Sequence, residues 1–203
     1  MAAQHALFDE PLQGPGLDVE LVRGALPAAS ADEAFAALCA EVPWRQERLR
    51  MHGREIAVPR LEAWIADEGL DYTYSGIHHI AVPWTPMLTD LRSLVEARSG
   101  ATFNSVLCNQ YRDGGDGVDW HADDEVEFGR QPVIASLSLG ATRRFDLRRH
   151  DDPSVRLGVD LHHGDLLVMR GTTQELWRHR VPRARGAVGP RINLTFRMVL
   201  RRA

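Results

Sequence analysis

His121, Asp123 and His179 form an H-x-D…H constellation, and Arg191-x-Asn193-x-Thr195-x-Arg197 follows the last of them within a dozen residues. Two histidines and one carboxylate leave open positions on one face of a metal ion, the arrangement by which non-haem Fe(II) oxygenases hold oxygen and a co-substrate together. Two arginines spaced for one strand face can hold a dicarboxylate beside that ion, because the guanidinium fork matches a carboxylate with parallel hydrogen bonds. With nine histidines in the chain, an H-x-D pair alone carries little. Taken with His179 and the arginine strand, it favours a metal site over unrelated surface groups, and the chemistry indicated is oxygenation.

Strands must position these groups. Side chains alternate along a strand, so His121 and Asp123 point the same way while Ala122 points elsewhere. The third ligand then comes from a distant strand folded back. The intervening sequence supplies the return path as Val133–Leu139, Arg144–Arg148, Val155–Leu161 and Leu166–Met169, with 149–154 as a hairpin loop. A β-barrel or jelly roll is expected. In the strand Arg191–Leu200 the polar residues occupy one face and Ile192, Leu194, Phe196 and Met198 the other. That polar face either lies in solvent or lines an interior supplied with anionic or hydrogen-bonding partners. Asn109 and Tyr111, sharing one face of Val106–Tyr111, favour the interior. The turn 113–117 delivers the strand bearing His121. Ser30-Ala31-Asp32-Glu33 reads as a capping box opening a helix to about Val42, and Thr85-Pro86 opens a second that ends near Gly100.

The longer pattern resembles the AlkB family of Fe(II)/2-oxoglutarate dioxygenases. It comprises Asn109 to Asp116, His121 to Glu125, Val133 to Gly140, Arg144-Phe145, Gly164 to Met169, Trp177 to Pro182 and Pro190 to Arg197. Upstream, Pro59-Arg60, Tyr72 to Gly76, Pro83 to Leu88 and Phe103 to Leu107 resemble the branch that repairs double-stranded DNA. The resemblance covers roughly residues 45–200. It implies a mainly β fold with flanking helices, a double-stranded β-helix (jelly-roll) core, over about 103–200, with a nucleotide-recognition region over about 45–100. It further implies Fe(II) held by His121, Asp123 and His179, and 2-oxoglutarate held by Asn109, Tyr111, Arg191, Asn193 and Arg197, with Arg197 also among the catalytic residues. With O2, the implied reaction hydroxylates an N-methyl carbon of a base such as 1-methyladenine or 3-methylcytosine in DNA, releasing formaldehyde and succinate. The same chemistry on RNA or protein, or a catalytically silent metal-binding barrel, stands as the alternative.

For the substrate, the resemblance implies a flipped base stacked between Tyr74 and His121, with Glu125 near its polar edge and Arg60, Tyr72 and Ser75 lining or bracing the pocket. A Y-x-Y alternation is also an ordinary half-buried strand. Met51 and His52 stand where the duplex-acting branch carries an intercalating finger, though that branch presents a bulky aromatic there; a β-turn that touches nothing is the alternative.

Length and composition bound the remainder. A chain of 203 residues predicts a single domain over 18–203, preceded by a mobile tail over 1–17. In that tail Gln4, Leu7 and Phe8 resemble the short peptides by which bacterial repair proteins dock on the sliding clamp. Cys39 and Cys108 have no zinc spacing and imply no disulfide framework, and Cys108 is expected in the core. No apolar stretch suits a membrane span and no signal pattern opens the chain, so a soluble, cytoplasmic protein is expected; a bacterial source, suggested by arginine at every basic position, and a monomer are separate expectations. The net charge is −4, yet from Arg178 to Ala203 there are eight arginines and no acid, which predicts one basic surface for alkylated DNA. His78, His79, His150, His162 and His163 lack partners at ligand spacing and are expected in loops or solvent.

Overall fold

The computed structural model describes residues 12–51, 54–74 and 77–200, with 49–51, 54, 71–74 and 77–80 described as backbone only. In chain order β1 (Asp18–Val22), α1 (Ala28–Glu41), β2 (Arg48–Met51), β3 (Arg54–Ala57), β4 (Leu61–Ala66), β5 (Asp71–Tyr74) and β6 (Ile77–Ile80) precede α2 (Pro86–Ser99). Then follow β7 (Ser105–Tyr111), β8 (Val118–His121), β9 (Ile134–Gly140), β10 (Arg143–Arg149), β11 (Arg156–Leu161) and β12 (Leu166–Arg170). The single-turn α3 (Thr173–Leu176), β13 (Trp177–Val181) and β14 (Arg191–Arg197) complete the chain.

Two antiparallel sheets face one another. The larger has the order β1-β12-β9-β14-β7-β4 and the smaller β11-β10-β13-β8, so β8 is an edge strand. The outer face of the larger sheet presents Val106, Cys108, Leu137, Leu194 and Phe196 to Leu38 of α1 and to Leu88, Leu91 and Val95 of α2. On its inner face Tyr111, Ile134, Leu167 and Met169 meet Phe145, Leu147, Trp177 and Val181 of the smaller sheet. Every residue of β14 is therefore buried. Its polar alternation lines the space between the sheets and does not face solvent. The jelly roll expected from the strand pattern is the one observed.

The start of α2 is as expected: Thr85 accepts a hydrogen bond from the Leu88 N–H at 3.3 Å, Pro86 follows it, and Gly100 closes the helix with a φ of 67°. The start of α1 is not. Pro27 occupies the capping position without a side-chain bond, and Ser30 lies inside the first turn. The Leu26 N–H is tied to the Gly164 carbonyl at 3.1 Å, so the chain is anchored four residues ahead of the local cap signal and Pro27, with its φ preset, starts the helix there.

The packed chain also begins earlier than residue 18. Leu12 bridges to Val19, and the Pro15 carbonyl accepts from Trp177 Nε1 at 3.2 Å and Arg149 Nη1 at 2.8 Å. The buried Trp177 indole needs an acceptor, and the segment before β1 supplies it. Gln4, Leu7 and Phe8 lie outside the described residues, as do His52 and Ser75. In the β2–β3 hairpin Met51 stands opposite Arg54 across a two-residue connection.

Candidate metal and co-substrate site

Antiparallel pairing of β8 with β13 sets His121 opposite His179, and the two ring centroids lie 4.2 Å apart. Asp123 lies just beyond β8, and its backbone N–H donates to Gln174 Oε1 at 2.9 Å. One ligand atom from each of His121, Asp123 and His179 falls within 4.8 Å of the others, close enough for a single ion to reach all three.

The electrostatics suit a cation. Burial pushes His179 down to about 3, with His121 adding to the fall, and burial also lowers His121 against the pull of Asp123. Both rings are therefore neutral near pH 7 and offer lone pairs. A protonated His121 Nδ1 donates to the Asp119 carbonyl at 2.8 Å, which leaves Nε2 for the ion. Burial alone would raise Asp123, but Arg197 and the two histidines outweigh it and hold the carboxyl at about 2. Arg197 Nη2 donates to Asp123 Oδ1 at 2.9 Å, while Oδ2 is buried with no hydrogen-bond partner among the described residues. Two neutral imidazoles and an ionised carboxylate with one oxygen oriented and the other left over fit a divalent ion.

A second feature lies beside Tyr111, a wall of the same cleft. Arg191 is 1% exposed; its Nη2 donates to Ser138 Oγ at 2.9 Å, but among the described residues Nε and Nη1 have no hydrogen-bond partner. Burial lowers this guanidinium to about 10, against the influence of Tyr111. Arg143, also buried, approaches the Tyr111 ring to 5.4 Å and Arg191 to 5.2 Å. The Arg143 donors meet the carbonyls of Asp113, Asp116 and Pro182. Buried cations matched only to hydroxyls and carbonyls strongly favour an anion, and the far carboxylate of a dicarboxylate fits that need.

Both Arg191 and Arg197 are expected to hold 2-oxoglutarate; the structure separates their contacts. Arg197 bonds the metal-site carboxylate, and Arg191 has the spare donors. Asn193 is committed to the framework, since its Nδ2 donates to Ser136 Oγ at 2.7 Å and to the Leu137 carbonyl at 3.1 Å. Asn109 accepts from Arg60 Nε at 2.8 Å, and Arg60 is ion-paired with Glu62 at 2.6 Å. Arg60 thus braces the cleft wall with its charge already matched. Glu125 is near the ligands, with Oε2 buried and without a hydrogen-bond partner among the described residues; burial and Asp123 push it up to about 7 against Arg197. Tyr72 and Tyr74 are described only as backbone positions of β5.

Sequence reasoning missed Ser136, Ser138, Gln174, Glu62 and Arg143. The serines follow the same period of two along β9 and were detectable. Gln174 carries no pattern, because it comes from a single turn and serves a backbone N–H. Arg143 is one residue before Arg144, which carries the motif in sequence. Register puts Arg143 inside at 2% exposure and turns Arg144 outward.

The family model described as the 2OG-Fe(II) oxygenase superfamily matches residues 18–197. The alpha-ketoglutarate-dependent dioxygenase alkB homolog 3 of Homo sapiens is 44% identical over 188 residues, covering 88% of this chain and 65% of that protein. The chain thus spans somewhat less than two thirds of that relative. The DNA oxidative demethylase ALKBH2 of Homo sapiens is 41% identical over 182 residues, covering 85% of this chain and 70% of that one. A solved structure described as OsALKBH1 superposes with a TM-score of 0.60 at 18% identity, covering 92% of this chain and 99% of that one, a likeness of fold.

Proposed function

This chain belongs to the 2OG-Fe(II) oxygenase superfamily, within its AlkB family, and from that premise we propose that it oxidatively dealkylates N-alkylated bases in DNA. The observation that carries the reading is the pairing of the His121–Asp123–His179 cluster, half-buried at His121 and buried at the other two, with an Arg191 whose Nε and Nη1 lack partners among the described residues inside the same jelly roll. The names of ALKBH2 relatives support DNA as the substrate class.

Fe(II) with 2-oxoglutarate and O2 supplies the oxidation, one oxygen atom going to the alkyl C–H and the other to succinate as CO2 is lost. His121 and His179 would hold the ion as neutral donors, and Asp123 would hold it as a carboxylate that Arg197 keeps ionised. Arg191 would fix the far carboxylate of the keto acid, with Tyr111 and Ser138 fixing Arg191. Phe145 backs the His179 ring at 5.3 Å with an interplanar angle of 23°, which limits its rotation and keeps water off that side. Arg60 and Asn109 line the same cleft as these groups. Hydroxylation of an N-methyl group gives a hemiaminal that releases formaldehyde and the unmodified base.

The test is anaerobic reconstitution with Fe(II) and 2-oxoglutarate, then oxygen, with DNA oligonucleotides carrying 1-methyladenine or 3-methylcytosine and RNA of the same sequence. Formaldehyde and succinate rising together on DNA is the expected result. Succinate without formaldehyde on every nucleic acid, or formaldehyde on RNA alone, overturns the assignment of DNA.

A further inference from the structure

The outer face of the smaller sheet carries a row of like charges. Arg148 of β10 stands opposite Arg156 of β11 on one side and Arg178 of β13 on the other. Neighbouring strands are about 4.8 Å apart, so the three Cα positions fall on one line across about 10 Å. Like charges set directly opposite destabilise a sheet unless something between them is negative. The rest of this face shows the contrast. Arg144 pairs with Asp146 at 3.2 Å and Asp160 at 3.5 Å, and Arg180 pairs with Asp146 at 2.9 Å. Among the described residues the three arginines of the row meet no carboxylate: Arg156 Nε donates to the Pro153 carbonyl at 2.7 Å, and Arg148 lies 4.2 Å from the Trp120 ring. Arg180 also approaches that ring, at 4.4 Å, so Trp120 is in contact with two guanidiniums. Asp119 is the exposed acid beside it on β8.

The place of this row matters as much as its charge. Trp120 directly precedes His121 and Arg178 directly precedes His179, so the row backs onto the metal-site strands from outside. β8 is the sheet edge, and a chain laid over this face can round that edge into the cleft. The whole protein carries a net charge of −4, so general attraction does not explain binding of a polyanion and a local positive row must.

We infer that Arg156, Arg148 and Arg178 form a phosphate track that holds a single-stranded segment of nucleic acid as it approaches the edge strand bearing His121. The inference rests on the nucleic-acid reading above and adds to it which surface carries the backbone. Each phosphate neutralised releases condensed counterions, so removing one arginine–phosphate pair lowers the salt dependence by a defined step, about 0.7 in the slope of log affinity against log salt for single strands.

The experiment measures anisotropy of a labelled, unmethylated oligothymidylate with the full chain across a salt series. Arg148→Gln with Arg178→Gln should reduce the steepness by about 1.4, and the exposed Arg156→Ala alone by about 0.7. Arg144→Ala, on the same face but acid-paired, should keep the wild-type slope. Thermal melting of each variant identifies any that lose the fold, and Arg156→Ala then decides the matter alone. Unchanged slopes in the row variants, an equal change in Arg144→Ala, or polyglutamate displacing the oligonucleotide as well as equally charged DNA would overturn the track. Formaldehyde release from methylated DNA by the wild type separates the two readings: it persists if only the track is wrong and is absent if the proposed function is wrong.

Discussion

Gln174 Oε1 accepts the backbone N–H of Asp123 at 2.9 Å while its Nε2 donates to Met169 Sδ at 3.3 Å, so one buried amide fixes the main chain of a metal-site carboxylate. Arg197 holds the side chain of the same residue, and the two contacts together aim Asp123. Partners of this kind contribute roughly 10- to 100-fold to metal affinity. Gln174→Ala should therefore weaken Co(II) binding to the metal-free protein by that order while the circular dichroism stays that of a folded sheet. An unchanged titration would reduce Gln174 to a packing role.

His179→Ala removes a ligand with a neutral lone pair and leaves the rest of the jelly roll in place. Metal binding in an anaerobic titration and formaldehyde release should both fall to background, with cooperative melting retained. Full turnover in this variant would show that the ligand set is wrongly chosen.

The two arginines of β14 should fail differently. Loss of a buried charge partner costs about 2 kcal/mol or more, roughly 30-fold in affinity. Arg191→Ala should accordingly raise the 2-oxoglutarate KM by at least that factor with metal affinity preserved. Arg197→Ala should instead weaken the metal titration, since its partner is Asp123. Similar, small effects of both on 2-oxoglutarate would contradict the separation.

Glu125 gives a pH signature in the metal-free protein. Its folded value, raised to about 7, lies above the unfolded one, so the folded state binds more protons between roughly pH 4.5 and 7. Its stabilising contribution is complete below that window and is lost as pH rises through about 7. Glu125→Gln should melt higher than wild type at pH 8, and the difference should shrink as pH falls to 5. A constant difference across that range would show that Glu125 ionises normally.

Much of this is legible in the sequence because strands encode their faces. The period of two in Arg191–Arg197 gives the inward set, and H-x-D gives two ligands on one side. What a single strand cannot encode is which partner it meets. Arg191 and Arg197 look equivalent in sequence, and only the register of β14 with β9, which brings Ser138 to Arg191, and the return of Asp123 to Arg197 distinguish them. Ser30 has the local pattern of a cap, and the tether of Leu26 to Gly164 overrides it. The row Arg156, Arg148 and Arg178 is likewise invisible until three strands are laid side by side.

The His121–His179 register also bears on how the chain reaches its folded form. The two residues are fifty-eight positions apart, from 121 to 179, and four strands, β9 to β12, lie between them in sequence. Pairings that close long loops form slowly, because chain entropy is lost before contacts compensate. The two imidazoles share a metal-sized space only after β8 has docked on β13. Capacity to bind an ion is therefore a clock for folding: during refolding, strand signal should return first and metal uptake only when the edge of the smaller sheet is in place.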